Sequence, residues 1–392
     1  MERLKHLLQK HQADGALRTL RPLKKLGHGL VRPLSSPPES TPFFDFSSND
    51  YLALSEHPDV IAASRAALEA YGAGSGAARL MSGDLEIHHQ LEEAVAGLKG
   101  QEAGLIFGSG YQANTGVIPA LLGRNDVMFT DRLNHASIYD GCRLAGAKMI
   151  RFRHNDCNHL EELLRTRRGE GQALIVVESV YSMDGDFCPL REIVSLKNRF
   201  SCMLMVDEAH ATGVFGANGG GLVEEEGISR DVDIAMGTFG KALGSYGAYV
   251  AASAEMITFL INRARSFIYS TALPPAVIGA SIAAVKIIQQ KPQLREDLHR
   301  KTALFKEALR HGGLTIDLGP SQIIPIPVGD SQKALELSED LAGHHLFTTA
   351  VRPPTVPEGT ARLRFSITRH HREKDLEQAA ATLLDELRKK SG

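Results

Sequence analysis

The chain has 392 residues, of which 43% are hydrophobic and 23% are charged, and its formal net charge at pH 7 is -2. Its length exceeds the usual size of one hydrophobic core and its composition is typical of a folded protein, so we expect a large domain and a smaller one. The near-neutral charge without a long Lys/Arg run disfavours nucleic acid and membrane surfaces as partners.

The N-terminal region predicts a helix followed by an extended arm. Residues 1 to about 25 alternate charged residues with leucine at helical spacing, and RPLSSPPESTP over residues 32–42 is rich in proline and serine. The first residues lack the apolar segment of a signal peptide, and no stretch of the sequence is long and apolar enough to span a bilayer. We therefore expect a cytoplasmic protein whose compact body begins near Phe43.

Short apolar runs alternate with helical patterns from residue 43 to about residue 283. The runs are GLIFG, DVMFTD, KMIRF, ALIVVES, MLMVDE, VDIAMGTF and YGAYVAA. Runs of this length, bounded by Gly, Asp and Ser, predict the buried strands of a mostly parallel sheet in an α/β domain.

The pattern changes after the helix predicted for SIAAVKIIQQ. Beyond Pro292 it becomes helix, short strands (QIIPIPVG and ARLRFSIT) and a final charged helix, EKDLEQAAATLLDELRKK, which is typical of a small α+β domain. The predicted organisation is an N-terminal helix and arm over 1–42, a large domain over 43–288 and a small domain over 289–392.

Four cysteines stand singly, without a CxxC spacing: Cys142, Cys157, Cys188 and Cys202. Isolated cysteines favour reduced thiols over a disulfide framework or a zinc site. The histidine doublets lack the ligand spacing of a metal site, so we expect no metal.

Polar residues follow three of the predicted strands, at the edge where ligands bind in open α/β sheets. ALIVVES leads to Ser182, MLMV leads to Asp207 and His210, and VDIAMG leads to Thr238 and Lys241. Alone, Asp207 is as well explained by a helix N-cap, and Lys241 by a solvated surface position. Together, at successive strand ends, they predict a shared site.

This set of residues suits pyridoxal phosphate (PLP). PLP requires a lysine for an imine and an acid that keeps its pyridine nitrogen protonated. Lys241 is the candidate lysine, because partial desolvation beside a cationic cofactor makes an amine nucleophilic. Asp207, at the end of an apolar strand, is the candidate acid.

The segment Gly108–Ala113 follows a predicted strand and opens a helix, so its amide groups can receive a phosphate. It also matches GxGxxA, the dinucleotide fingerprint, with Asp126 or Asp131 as a ribose ligand. A nicotinamide-dependent oxidoreductase therefore remains an alternative, although it leaves Lys241 and Asp207 unexplained.

Two further positions have both a functional and a structural interpretation. His135 follows DVMFTD and either stacks on a flat cofactor or is an ordinary hydrogen-bonded histidine. Arg362 and Arg364 share one face of a predicted strand, where one of them either binds a substrate carboxylate or forms an ion pair.

Eight motifs, read together, resemble the α-oxoamine synthases, which are PLP-dependent enzymes of fold type I. The motifs occur in order over nearly the whole chain: FSSNDYLAL (46–54), SGYQAN (109–114), NHAS (134–137), SVYSMDGD (179–186), VDEAHATGVFG (206–216), TFGKALG (238–244), IYSTALPP (268–275) and RPPTVPEGTARLRFSIT (352–368). The resemblance implies a homodimer with active sites shared between the subunits.

The resemblance also implies roles for matching positions. Lys241 would bind the cofactor covalently, Asp207 would pair with its pyridine nitrogen, His210 would hydrogen-bond its phenolic oxygen, and His135 would stack on its ring. These four are the expected catalytic residues. The other expected cofactor contacts are Gly110, Tyr111, Ser182 and Thr238, with Ser270 and Thr271 contributed by a second subunit.

For substrates, the resemblance favours the family member that condenses L-alanine with a pimeloyl thioester of CoA or acyl carrier protein. The alternatives are the members that use glycine or serine with other acyl-CoA donors. The expected substrate contacts are Arg18 (with Arg21 as a competitor), Asn49, Thr355 and Arg364. The loop at 74–79 has Ala77-Ala78 where many of these enzymes carry Gly-Ser.

Overall fold

The computed structural model describes residues 1–13 and 17–391, which divide into two compact units. The larger unit comprises residues 54–182 and 187–296, and the smaller one residues 1–53, 183–186 and 297–392. The domain boundaries predicted at 42/43 and 288/289 stay a prediction, since compactness alone does not define independent folding.

The larger unit contains a seven-stranded sheet. Its order is β4-β10-β9-β8-β7-β5-β6. Among the strands of this described sheet, β10 alone runs in the direction opposite to the other six. The strands are β4 (Ala103–Phe107), β5 (Val127–Asp131), β6 (Lys148–Phe152), β7 (Ala173–Glu178), β8 (Met203–Asp207), β9 (Ile234–Thr238) and β10 (Ala248–Ala252). All seven predicted runs form strands, and the mostly parallel α/β sheet is confirmed.

The larger unit also contains helices before, between and after these strands in the chain. They are α2 (Pro58–Tyr71), α3 (Glu86–Lys99), α4 (Gly110–Leu121), α5 (Ala136–Ala145), α6 (Cys157–Arg167), α7 (Leu190–Arg199), α8 (Leu222–Glu225), α9 (Ala254–Arg263), α10 (Arg265–Ile268) and α11 (Pro275–Gln290). Every residue of β5, β7 and β10 is buried, which explains why their sequences do not alternate and are apolar except for the polar residues at the carboxyl ends of β5 and β7.

One hydrophobic core joins the sheet to helices α4, α5 and α9. It includes Val117 and Ile118 of α4, Ile138 of α5 and Leu260 of α9, all fully buried against apolar side chains of the strands. This packing holds the first turns of α4 and α5 in place relative to the sheet.

The smaller unit contains two further sheets, ordered β1-β2-β3-β12 and β11-β14-β13. Their strands are β1 (Leu23–Gly27), β2 (Leu30–Pro33), β3 (Phe43–Asp45), β11 (Ile323–Gly329), β12 (Leu346–Phe347), β13 (Thr349–Val351) and β14 (Ala361–Ser366). The helices of this unit are α1 (Glu2–Ala13), α13 (Ser331–Gly343) and α14 (Glu373–Ser391), while α12 (Gln293–His311) spans the boundary at 296/297.

The helix predicted for residues 1–25 is wrong over residues 17–25, while residues 14–16 lie outside the described part of the chain. The described helix ends at Ala13, and residues 23–27 form β1, which pairs with β2 in a hairpin. The two residues between these strands, His28 and Gly29, both have positive φ, as a two-residue hairpin turn requires. Pro22 also interrupts a helix, because it lacks the amide hydrogen. Residues 23–33, which run from the end of the predicted helix into the start of the predicted arm, thus contribute two strands to a sheet completed by β3 and β12.

None of the helices in residues 1–13 and 17–391 combines the length and the apolar character needed to cross a membrane. All four cysteines have free thiols.

A buried ion pair ties α3 to the turn that follows β8. Lys99 donates hydrogen bonds to Glu208 Oε2 and to the carbonyl of Gly220, and both charged side chains are almost completely excluded from solvent. The other oxygen of Glu208 accepts the amide of Val223 at 3.0 Å. The pair therefore anchors the residue next to Asp207 and the chain up to α8.

We predict that Lys99→Met lowers the free energy of unfolding by about 3–5 kcal/mol, because it leaves the Glu208 carboxylate buried without its counter-ion. Denaturant unfolding followed by circular dichroism measures this change. Arg165→Met is the control: it removes an exposed ion pair with Glu161 and should cost no more than about 0.5 kcal/mol. Equal losses in the two variants would contradict the prediction.

Candidate active site

Seven of the predicted cofactor residues line one cavity of about 200 Å³ in the larger unit. They are Gly110, Tyr111, His135, Asp207, His210, Thr238 and Lys241. The cavity lies where β4, β5, β7, β8 and β9, which run in the same direction, reach their carboxyl ends. Because parallel strands end at a common edge, residues far apart in sequence meet there.

Lys241 lies three residues beyond β9, and its Nζ is 2.8 Å from Nε2 of His210. His210 comes three residues after Asp207, in the turn that the Lys99–Glu208 pair anchors. The structure therefore places an amine and an imidazole in direct contact at the cavity, an arrangement in which a proton can be held or passed.

Asp207 is the last residue of β8 and is 5% exposed. Its Oδ1 accepts the amide of Ala209 at 2.9 Å, and its Oδ2 accepts Nδ2 of Asn114 at 3.2 Å. Two hydrogen bonds from fixed donors hold this carboxylate in one orientation. Asp207 is thus a fixed acid at the cavity wall, as a pyridinium partner needs to be.

His135 is connected to Asp207 by a chain of hydrogen bonds through Ser137 and Asn114. Asn114 Nδ2 is 2.9 Å from Ser137 Oγ, and Ser137 Oγ is 2.7 Å from His135 Nδ1. The backbone amide of Ser137 also donates to Nδ1, so this nitrogen is an acceptor and the ring hydrogen lies on Nε2. Burial lowers the pKa of His135, with the nearby Lys241 charge acting in the same direction while Asp207 and Asp140 oppose it.

Glu178 also lines the cavity, although we did not predict it from the sequence. It ends β7, lies opposite Asp207 in the parallel β7–β8 pair and is 3% exposed. Its Oε1 accepts the backbone amide of His135 at 2.5 Å. Burial, followed by the nearby charge of Asp207, raises the pKa of Glu178 to about 8.

The glycine loop forms a cradle for a phosphate group. Ser109 caps α4 by accepting the amide of Gln112, and the first amides of a helix attract anions. A Cβ on Gly110 would lie 3.0 Å from Thr238 and 3.1 Å from Met236, so only glycine fits without displacing them. Thr238 Oγ1 is buried with no hydrogen-bond partner among the described residues. These features fit PLP: a lysine, a fixed acid, a histidine and an unsatisfied hydroxyl surround the cavity.

Three predicted cofactor residues do not line this cavity. The backbone amide of Ser182 bonds to Glu178, which places Ser182 next to the cavity. Ser270 and Thr271 border a separate small cavity with Arg79 and Phe267. Their predicted contact with the phosphate of a second subunit stays a prediction.

The predicted substrate residues belong to the smaller unit. Arg364 is 8% exposed; its Nη1 donates to Asn49 Oδ1 at 3.1 Å and its Nη2 to the Tyr51 hydroxyl at 3.2 Å. Its neighbour Arg362 forms an ion pair with Asp184, which is the structural alternative we considered for this strand.

Arg18 and Thr355 also meet, since Arg18 Nη2 lies 3.0 Å from Thr355 Oγ1. Arg18, Arg21 and Arg352 line a cavity of about 600 Å³ together with apolar residues, among them Leu335 and Phe347. Burial, followed by the charges of Arg18 and Arg21, lowers the pKa of Arg352. The cavity combines an apolar wall with positive charge, which suits an anionic acyl compound.

Two signals could have revealed the residues we missed. Glu178 is the last residue of a predicted strand, at the same edge as Asp207. Asn114 follows Gly110 by four residues on α4, so both lie on one face of the helix. No pattern in the sequence predicts the hydrogen bonds that Asn114 of α4 forms with α5 and β8.

Known proteins resemble this chain over most of its length. Residues 41–383 match the family described as aminotransferase class I and II. An 8-amino-7-oxononanoate synthase from Geobacter sulfurreducens is 51% identical over 338 residues, which cover 86% of each protein.

Two solved structures show the same fold. Serine palmitoyltransferase from S. paucimobilis with bound PLP–myriocin aldimine has a TM-score of 0.91 and 29% identity, covering 98% of this chain and 97% of that one. An 8-amino-7-oxononanoate synthase from Francisella tularensis has a TM-score of 0.76 and 28% identity, covering 89% and 99%.

These matches confirm the PLP-dependent fold type I architecture and the expected cofactor. The chain belongs to the aminotransferase class I and II family and, within it, to the PLP-dependent α-oxoamine synthases.

Proposed function

We propose that this protein condenses L-alanine with a pimeloyl thioester of CoA or acyl carrier protein, giving 8-amino-7-oxononanoate, CO2 and the free thiol. The observation that carries the proposal is the 51% identity to an enzyme of that name over 86% of both chains. The Lys241 cavity supports it, because it provides the groups that PLP chemistry needs. The three carbons of alanine and seven of the pimeloyl group, less one lost as CO2, account for the nine-carbon product.

PLP, when bound, supplies an electron sink for the charge that develops at the α-carbon of alanine. Asp207 contributes a fixed negative charge at the pyridine nitrogen, held by Ala209 and Asn114. Lys241 takes the α-proton on Nζ and later returns a proton to the product. His210, 2.8 Å away, orients that amine. His135 presents its Nε2 hydrogen as a donor to the carbonyl that forms.

Two arginines of the smaller unit are the proposed contacts for the carboxylates of both substrates. Arg364, held by Asn49 and Tyr51, binds the alanine carboxylate, and Arg18, held by Thr355, binds the distal carboxylate of the pimeloyl chain. Both arginines are oriented by hydrogen bonds before the substrate arrives, so less entropy is lost on binding.

The proposed assembly is a homodimer in which Ser270 and Thr271 reach the cofactor phosphate of the second copy. Large apolar side chains close to these residues in sequence or in the fold are exposed, which supports a surface that the second copy covers. Met81 is 78% exposed and Tyr269 is 71% exposed.

Reduced cysteines support a cytoplasmic location.

The test of this function is an absorption spectrum of the PLP-loaded protein, followed by addition of L-alanine, glycine or L-serine and then of an acyl-CoA. We expect L-alanine to change the visible band and pimeloyl-CoA to release thiol. Acetyl-, succinyl- and palmitoyl-CoA serve as comparison donors. Thiol release that depends on serine and palmitoyl-CoA would instead place the chain with its structural neighbour serine palmitoyltransferase.

We predict that Lys241→Ala lowers kcat by at least about a thousandfold, since it removes the group that transfers the α-proton. Thiol release from pimeloyl-CoA in the presence of L-alanine measures the loss. Lys286→Ala, at an exposed position of α11, is the control and should retain the rate of the unaltered protein. Turnover by Lys241→Ala at the control rate would rule out the assignment.

We predict that Arg18→Ala raises KM for pimeloyl-CoA at least about tenfold with little change in kcat, because a charge-assisted hydrogen bond contributes about 1.5–3 kcal/mol to binding. Arg21→Ala is the matched comparison, since Arg21 lines the same cavity. We expect a smaller effect there, because Thr355 orients Arg18. A larger KM increase for Arg21→Ala would assign the acyl contact to Arg21 instead.

A further inference from the structure

The site contains a second buried acid that the proposed reaction does not use. Glu178 and Asp207 are paired across neighbouring parallel strands, so their side chains leave the sheet on the same side. Both line the cavity that holds Lys241. Two carboxylates on neighbouring strands of a buried site repel each other when both are ionised, so the charge of one disfavours ionisation of the other.

The hydrogen bonds of the two acids differ. Asp207 accepts the amide of Ala209 and the side-chain amide of Asn114. Glu178 accepts the backbone amides of His135 and Ser182, one residue from each of two loops that border the cavity. Its own backbone amide donates to Asn134 Oδ1 at 3.2 Å, so Glu178 is linked to the 134–135 turn from both ends.

We propose that Glu178 is a positioning residue that stays protonated while Asp207 is ionised and that holds the His135 and Ser182 backbones beside the cofactor. This inference rests on the proposed cofactor contacts of Lys241, Asp207 and His135. Its consequence is that one negative charge, on Asp207, faces the cofactor nitrogen.

The charged and titratable groups around Glu178 are consistent with this division. Four groups interact with Glu178 electrostatically. They are Asp207 of β8, Lys241 in the loop after β9, Tyr139 of α5 and Tyr181 in the loop after β7. His135 contacts it through the backbone. Burial, ahead of the Asp207 charge, raises the pKa of Glu178 to about 8, while Lys241 and the two amide bonds act in the opposite direction.

The first test is a pH titration of the visible cofactor band in the PLP-loaded protein without any acyl donor. A nearby anion stabilises the protonated, cationic form of the bound cofactor, so removing an anion lowers the midpoint. We expect Asp207→Asn to lower the midpoint by about one pH unit or more. Glu178→Gln, which removes no charge if Glu178 is protonated, should leave the midpoint within about 0.3 of that of the unaltered protein.

A midpoint lowered as far by Glu178→Gln as by Asp207→Asn would overturn the proposal, because Glu178 would then be a second anion. The readout does not require pimeloyl-CoA turnover. A wrong assignment of the acyl substrate would leave this titration intact, whereas the absence of any visible band in the unaltered protein would reject the cofactor roles themselves.

The second test examines positioning. Glu178→Ala removes the acceptor for both amides, so the dissociation constant for PLP should rise at least tenfold, and amide hydrogen exchange in residues 133–138 should accelerate while that in residues 203–207 does not. Glu178→Gln, which keeps an acceptor oxygen, should change the dissociation constant less than Glu178→Ala does. Unchanged PLP binding and exchange in Glu178→Ala would overturn the positioning role. If that variant does not fold, the Glu178→Gln titration still decides the charge state.

Discussion

The register of the parallel strands β7, β8 and β9 is the constraint on which the site depends. It pairs Glu178 with Asp207 and Asp207 with Met236, so that the turns carrying His210 and Lys241 begin at one edge. A slip of one residue would turn every side chain of a strand to the opposite face of the sheet. Such a slip would remove Leu174 and Val176 of β7 and Met205 of β8 from the core that they form with α4 and α5.

The two acids at this edge of the sheet, Asp207 and Glu178, have different hydrogen-bond partners. Asp207 is bound by an amide and by Asn114, while Glu178 is bound by the amides of loops that border the cavity. Behind them, the Lys99–Glu208 pair neutralises a third acid next to Asp207. In a low-dielectric site these differences decide which carboxylate carries the charge, because desolvation penalises every additional ion.

In the smaller unit, hydrogen bonds fix the orientation of cationic side chains. Arg364 is oriented by Asn49 and Tyr51, and Arg18 by Thr355, whereas Arg362 is neutralised by Asp184. Arginines that hydrogen bonds hold in a fixed orientation suit the paired recognition of carboxylates, which is the property that substrates with anionic ends require.

The sequence by itself determined the strands of the large sheet, their mostly parallel arrangement and most of the residues that line the Lys241 cavity, because apolar runs identify buried strands and polar residues at their ends identify the binding edge. It failed at residues 17–25, where a hairpin partner decides the structure of β1 and local periodicity carries no information about that partner. Tertiary structure alone decided the roles of Glu178 and Asn114. Their hydrogen bonds join α4, α5 and two strands, and a contact between distant segments has no local pattern from which to predict it.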